Sequence, residues 1–471
     1  MGKTSLGRFS DWAPGSGQLT ATAQVRRSST APHVPKESFA TRTLSTSGAA
    51  GLAWVTGLNA LIGAIAWQSS LLATLHLVVT MGALVVVGLM SRTATPVVGI
   101  TVYAGVCDVL WRMSGARGPY EASKYALVFG LGIVVVRFVR QPRDPALPLV
   151  LIISLLPGVI VGANAMGPAA VREYVIANLG GLVALALGVL AFWSLRVSPR
   201  NVRHLYLLCL GPCISVATFA TLSTVTAKDL DFGNSSNFVA AGGFGPNQVS
   251  ALLGFGALLC ILLILQRDVS VRFRVASLAI GVWLVGQAVL TFSRGGLLSL
   301  VLALAAVGLA ALTLSGQRMR VLVAAGVLMA VGIQILSWAG AFTDGASDER
   351  FSSADTTNRG DIAALDMDVF WDNPLWGVGV GRLKSERNFT VESAAHTEYT
   401  RLLAEHGVLG LFAIGALAGL SLRILRGTAG WHRMAAAGLI ALSLSTMAHS
   451  ATRIGSIPLA FALAALRGDD P

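Results

Sequence analysis

Apolar residues fall in runs of about 20, the length a helix needs to cross the hydrocarbon core of a bilayer, and short polar breaks separate them. The runs lie at 49–66, 70–90, 94–111, 122–139, 147–163, 176–194, 204–224, 246–266, 273–290, 295–315, 319–338, 405–423, 433–450 and 454–466. Because the last is short, the pattern predicts 12–14 transmembrane helices. The expected fold class is an all-α polytopic membrane protein with one large helical external loop. The expected organisation is a disordered cytoplasmic tail at 1–48, a first helical block at 49–338, the loop at 339–404 and C-terminal helices at 405–471. The tail is rich in Ser and Thr, and no apolar segment of signal-peptide type follows its first basic residues.

Composition agrees with this picture. Hydrophobic residues make up 54% of the chain and charged residues only 12%, about half the charge of an average soluble domain. The net charge of +12 raises the question of nucleic acid. The basic residues sit in short loops between apolar runs, so no nucleic-acid partner is expected and membrane lipids are. Alternate loops differ: one set carries fifteen arginines and the other, among its short loops, seven basic residues. The positive-inside rule then puts both termini in the cytoplasm and the loop 339–404 outside, in a multi-pass protein of the cell inner membrane. Cys107, Cys209, Cys213 and Cys260 all lie within apolar runs, with neither a disulfide framework nor metal-ligand spacing.

Ionisable groups inside the spans are few and are functional candidates by default. His76, Asp108, Arg294 and His449 all approach the outer interface in this orientation. For His76 and His449 the simpler reading is that each reaches the interface independently. A transporter site would more often lie at the midplane.

A loop as long as 339–404 is unusual unless functional. Asn358 is placed to cap a helix whose apolar face is Ile362, Leu365, Val369 and Phe370, and Asn373-Pro374 ends it. The stretch Trp376-Gly377-Val378-Gly379-Val380-Gly381-Arg382 follows. Its glycines suit close approach of backbone to an anion or to a neighbouring helix. A second helix is expected from Ser393 to Gly407, with His396, Tyr399, Leu403 and His406 on one face. A neutral His396 in its first turn would accept a proton from a hydroxyl nucleophile. A histidine satisfied by packing is the competing reading.

Three separated segments, in order, resemble the O-antigen ligase and Wzy-type polysaccharide polymerase superfamily. They are Phe292-Ser293-Arg294-Gly295-Gly296, Asn373-Pro374-Leu375-Trp376-Gly377-Val378-Gly379-Val380-Gly381, and His396-Thr397-Glu398-Tyr399 continuing through Leu402, Leu403, Glu405, Gly407 and Gly410. Gly245-Pro246-Asn247 is similar to a further element, and the resemblance covers roughly 230–420. It implies a metal-independent glycosyltransferase that needs no cofactor. Its partners would be a polyprenyl-diphosphate-linked glycan as donor and a glycan or lipid acceptor. By the same resemblance Arg294 would contact the diphosphate and His396 would serve as base or acceptor-positioning group, with Glu398 a weaker base candidate. Thr397 stands where the family usually has asparagine, and only Lys228 is available where ligases tend to have a second arginine. A lysine is a point charge rather than a bidentate fork, so Arg172, Arg359 or Arg382 could supply the second contact instead. The rival readings are a lipid-linked oligosaccharide flippase and a peptidoglycan-type polymerase that would use a carboxylate of 344–372.

Overall fold

The structure is a computed structural model that describes residues 48–228, 235–313, 330, 332–352, 359–387 and 397–468. The tail reading for 1–48 falls almost wholly outside the described residues, and so does most of the expected span 319–338. The described chain is helical throughout, apart from a two-residue parallel bridge that pairs Arg196 with Arg467 and Val197 with Gly468.

Most of the expected spans coincide with a helix where they are described, while 94–111 breaks at Cys107 and 405–423 at Gly407. The helices are α1 Ala49–Gln68, α2 Ser70–Met90, α3 Ala94–Val106, α4 Asp108–Met113, α5 Ala122–Phe138, α6 Ala146–Met166 and α7 Pro168–Tyr174. There follow α8 Gly180–Ser194, α9 Pro199–Thr226, α10 Pro246–Ile264, α11 Val271–Leu290, α12 Arg294–Leu312 and α13 Gly332–Phe342. A π-helical turn, Val175–Leu179, joins α7 to α8 into one rod. Among the described residues nine helices are long and apolar enough to cross a membrane, this rod counted as one. The chain is thus an all-α polytopic membrane protein.

Local chemistry explains where helices begin. Pro199 and Pro246 occupy the first turn, where a missing N–H costs nothing. Ser198 accepts from Asn201 N at 3.3 Å and Ser270 from Phe273 N at 3.2 Å, each capping a span. The basic residues at the end remote from the loop are used locally. Arg203 donates to Gln266 at 2.7 Å, and Arg137 donates to the last carbonyls of α2, including Leu89 O at 2.9 Å.

Beyond α13 come α14 Ala346–Ser352, α15 Arg359–Asp372, the single turn α16 Leu383–Glu386, α17 Glu398–His406, α18 Val408–Gly427, α19 Gly430–Ser450 and α20 Ser456–Leu463. The last expected span, short in sequence, is helical only over α20, yet residues 454–466 are buried without a break. A β-carbon at Gly181 would fall 2.8 Å from Thr452, and the Arg467 guanidinium lies 4.7 Å over Trp193. The segment therefore runs alongside α8 for most of that helix's length. Being shielded by protein, it needs no full lipid-spanning helix.

Candidate active site at the loop-bearing end of the bundle

Arg294 opens α12 after a tight, fully buried turn. Phe292 takes a left-handed φ of +56°, strained for a residue with a β-carbon, and its surroundings hold it there. Thr291 O accepts from Asn237 N at 2.9 Å, Ser293 Oγ donates to Asn247 Oδ1 at 2.7 Å, and Ser250 Oγ donates to Ser293 O at 3.2 Å. The Gly245-Pro246-Asn247 element is thus bonded directly to the serine-arginine turn. Gly295 lies where a β-carbon would come within 2.6 Å of His449 Nδ1, and Gly296 where it would come within 2.5 Å of the Ser250 main chain. The absence of those two side chains lets α10 and α19 close on the half-buried start of α12. His449 also bonds Ser299 Oγ at 2.9 Å.

The glycine-alternating stretch runs over the end of α6 and under α17. Gly377, Gly379 and Gly381 have φ of +68°, +90° and +87°, while Val378 and Val380 between them are buried. Val378 N donates to Ala404 O at 2.9 Å, Gly379 N to Glu405 O at 3.1 Å and Val380 N to Gly158 O at 3.0 Å. Backbone therefore meets backbone at Gly377 and Gly379, whereas Gly381 meets the Tyr174 ring. Of the two uses open to these glycines, the described contacts are with neighbouring helices.

α17 supplies the charge. Thr397 caps it by accepting from Tyr399 N at 3.2 Å. Glu398, Arg401 and Glu405 follow at helical spacing and are all buried. Arg401 pairs with Glu398, with Glu405 at 2.6 Å and with Asn178 O at 2.8 Å. Glu398 also accepts from Thr452 N at 3.1 Å and Thr452 Oγ1 at 3.3 Å. Glu405 accepts from Gly381 N and Asn178 Nδ2, both at 3.0 Å. Beneath this cluster Arg387 Nε donates to Asp366 at 2.7 Å, and Thr400 Oγ1 donates to the same carboxylate at 2.7 Å. Burial pushes the Glu405 and Asp366 carboxyls up from the usual carboxylate range, with Arg401 and Arg387 respectively opposing the rise. Burial opposes the charge on Arg401 itself, but Glu398 and Glu405 more than offset that and hold its pKa above the ordinary value. Next in the chain, His406 is fully buried against Gly158, with neither ring nitrogen hydrogen-bonded, and burial lowers its pKa to about 3.

These elements enclose a cavity of about 170 Å³ lined by Asn178, Lys384, Arg387, Glu398, Arg401, Glu405, Thr452 and Arg453 among others. Thr452 is three residues from His449, so the cavity and the start of α12 both adjoin the C-terminal end of α19. Residues 279–415 match the family described as O-antigen ligase. Over that stretch the chain is similar to this family. No curated protein matches the chain. The matched stretch begins within α11 and takes in the serine-arginine turn, the glycine stretch, α17 and the start of α18.

The candidate residues are distributed unevenly around the matched stretch. Thr397 has extended backbone (φ −112°, ψ 134°), so α17 begins after it, and residues 393–396 of the helix expected from Ser393 lie outside the described residues. His396 lies outside the described residues. Glu398 lines the cavity, bound on both sides by Arg401 and Thr452. Arg382 pairs with Glu386 across one helical turn, half-exposed. Lys228 and Arg172 are exposed, and neither they nor Arg382 line the cavity. Arg359 opens α15. His76, outside the matched stretch, bonds Tyr103 Oη at 3.1 Å and Trp111 Nε1 at 3.0 Å. It and His449 therefore serve packing inside the protein, in place of the independent reach to the interface expected from sequence. Arg387, Arg401, Glu405 and Arg453 were not singled out from sequence. For the α17 residues a readable signal existed, since Glu398, Arg401 and Glu405 recur at i, i+3 and i+7.

Proposed function

We propose that this protein is a glycosyltransferase of the cell envelope. It moves a glycan from a polyprenyl diphosphate carrier to a glycan or lipid acceptor at the outer face of the cytoplasmic membrane. The observation that carries the reading is that the glycine stretch and α17 interlock around one charged cavity, while the serine-arginine turn, bonded to the Gly245-Pro246-Asn247 element, packs on His449, three residues before the cavity-lining Thr452. The excess of arginine in the loops at the other end supports cytoplasmic termini and an outward-facing site.

In this reading the acceptor hydroxyl attacks the sugar carbon bonded to the diphosphate oxygen. The new carbon–oxygen bond forms as the old one breaks, and the electron pair leaves with the polyprenyl diphosphate. Negative charge grows on that leaving group, and the fixed guanidinium of Arg294 stabilises it without a metal ion. His396 takes the acceptor proton. Glu398, held by Arg401 and Thr452, orients the acceptor, while Lys228, Arg359 and Arg382 are peripheral cations for the donor's approach.

Deletion of the gene, followed by extraction of lipid-linked glycans, tests the proposal. Accumulated full-length polymer on the carrier indicates a ligase, and single repeat units on the carrier indicate a polymerase. A deletion strain with a normal lipid-linked pool and normal surface polysaccharide refutes both.

A further inference from the structure

The lining of the cavity comes from three parts of the chain. α16 and α17 lie within the stretch matched to the ligase family, whereas the turn after α19 and the rod of α7, π turn and α8 lie outside it. The rod contributes Tyr174, Ala177 and Asn178. Its helical ladder is interrupted there by the π turn Val175–Leu179, a feature that recurs at functional sites. Around the turn two carbonyls take partners from outside the rod. Ala177 O accepts from Lys124 Nζ at 2.6 Å, and Asn178 O accepts from Arg401 at 2.8 Å. Asn178 Nδ2 in turn donates to Glu405 at 3.0 Å. This wall is therefore fixed to the charged helix α17.

Tyr174, immediately before the π turn, is the aromatic residue of the lining. A β-carbon at Gly381 would overlap its ring, and Gly381 has a φ of +87°. The ring is thus seated on the glycine stretch, yet it stays 42% exposed. Glu398, Arg401 and Glu405 are at most 5% exposed. They form the floor of the cavity, and a ligand first meets the ring, Asn178 and Lys384. A tyrosine held in this way offers a large, rigid contact at little cost in side-chain entropy. The amide and the ammonium group beside it bond hydroxyls. An aromatic face flanked by hydrogen-bonding groups is complementary to a sugar, which carries C–H bonds on one face of its ring and hydroxyls at its rim. The cavity volume is about 170 Å³. Sites for drug-sized ligands take roughly 300–1,000 Å³, so the occupant is a single sugar ring rather than a length of chain.

We propose that this cavity is the subsite for the sugar ring of the acceptor, and that Tyr174 is a specificity-determining residue that stacks on the C–H face of that ring. The inference rests on the transfer reading above, in which His396 takes the acceptor proton, and Glu398, two residues later in sequence, lines the cavity. The stretch matched to the family then carries the chemistry, while the choice of acceptor sugar lies in a segment outside it. A tyrosine at the outer end of a span also serves as a membrane-interface anchor. Such an anchor would have no effect on sugar binding, which separates the two roles.

The test titrates the full chain in nanodiscs with the methyl glycosides of glucose, galactose, mannose and N-acetylglucosamine, followed by saturation-transfer NMR. Wild type is expected to bind at least one of them saturably and to discriminate between glucose and galactose, because an axial hydroxyl interrupts the stacked face. Loss of the ring in Tyr174→Ala is expected to weaken binding about tenfold and to erase that discrimination. Tyr174→Phe keeps the ring and should stay within about threefold of wild type. Tyr174→Leu keeps apolar bulk without the ring, and it decides the matter if the alanine variant does not fold. Binding by Tyr174→Ala or Tyr174→Leu within twofold of wild type overturns the proposal, and so does the lack of saturable binding of any glycoside by wild type. The binding measurement does not depend on transfer. Binding through Tyr174 by a wild-type chain that transfers no glycan leaves the sugar subsite standing and removes the transfer reading. In a transferring enzyme, Tyr174→Ala should raise the KM for the acceptor and not that for the donor. A raised KM for the donor alone assigns the ring to the donor glycan and overturns the acceptor assignment.

Discussion

Arg401 is the hub of the loop, and its removal tests whether the buried network around α17 holds the site together. Arg401→Met keeps the length and apolar stem of the side chain but leaves Glu398, Glu405 and Asn178 O without their cation. Both carboxylates are at most 1% exposed, so solvent screens little of the loss. Breaking a buried ion pair by deleting one partner costs about 3–5 kcal/mol. The lower end is expected here, because Glu398 keeps two donors from Thr452 and Glu405 keeps Gly381 N and Asn178 Nδ2. Glu405 is also poised by burial to take up a proton, which limits the penalty further. The predicted destabilisation is therefore about 3 kcal/mol, read by equilibrium unfolding of the purified chain in mixed micelles. The triple variant Arg401→Met, Glu398→Gln, Glu405→Gln removes the uncompensated charge and should regain at least half of that loss. An Arg401→Met protein within about 1 kcal/mol of wild type, or a triple variant less stable than the single one, would refute the reasoning.

Two further perturbations probe the same region. His406 titrates near 6.5 when unfolded and at about 3 when buried. Its contribution is therefore complete above pH 6.5 and is lost progressively as pH falls toward 3. The loss should reach about 2 kcal/mol at pH 5 relative to neutrality. His406→Phe should flatten that part of the stability–pH curve, and an unchanged curve would show that the ring is not buried neutral. Gly379→Ala places a β-carbon 2.8 Å from Gly162 Cα at a φ of +90°. A destabilisation of roughly 2–4 kcal/mol is expected from strain and overlap together. Gly308→Ala on α12, which meets nothing within 4 Å, should be nearly neutral in the same melting assay.

The spans were legible because lipid-spanning helices write themselves as long apolar runs, and most described runs are helices. The serine-arginine turn was legible as a motif, and α15 as a helix ended by Asn373-Pro374, its expected cap Asn358 lying outside the described residues. The pairing inside the loop was hidden. Asp366, Arg387, Arg401 and Glu405 read like the solvated charges of any external loop, since nothing local says that a neighbour will bury them. Arg112 finds the carbonyl of Arg453, and Asn178 finds Glu405, over sequence distances that periodicity does not reach. The glycine alternation marked close approach but left its object open, and that object proved to be the main chain of α6 and α17.

The most direct measurement of the central claim is glycan transfer by the purified chain in proteoliposomes supplied with a polyprenyl-diphosphate-linked glycan and acceptor. The account predicts transfer with release of polyprenyl diphosphate by wild type. Folded Arg294→Ala and His396→Ala proteins should lose about a hundredfold or more, the usual cost of deleting one charge-stabilising donor or one general base. Undiminished transfer by both variants, or no transfer by wild type, would contradict it.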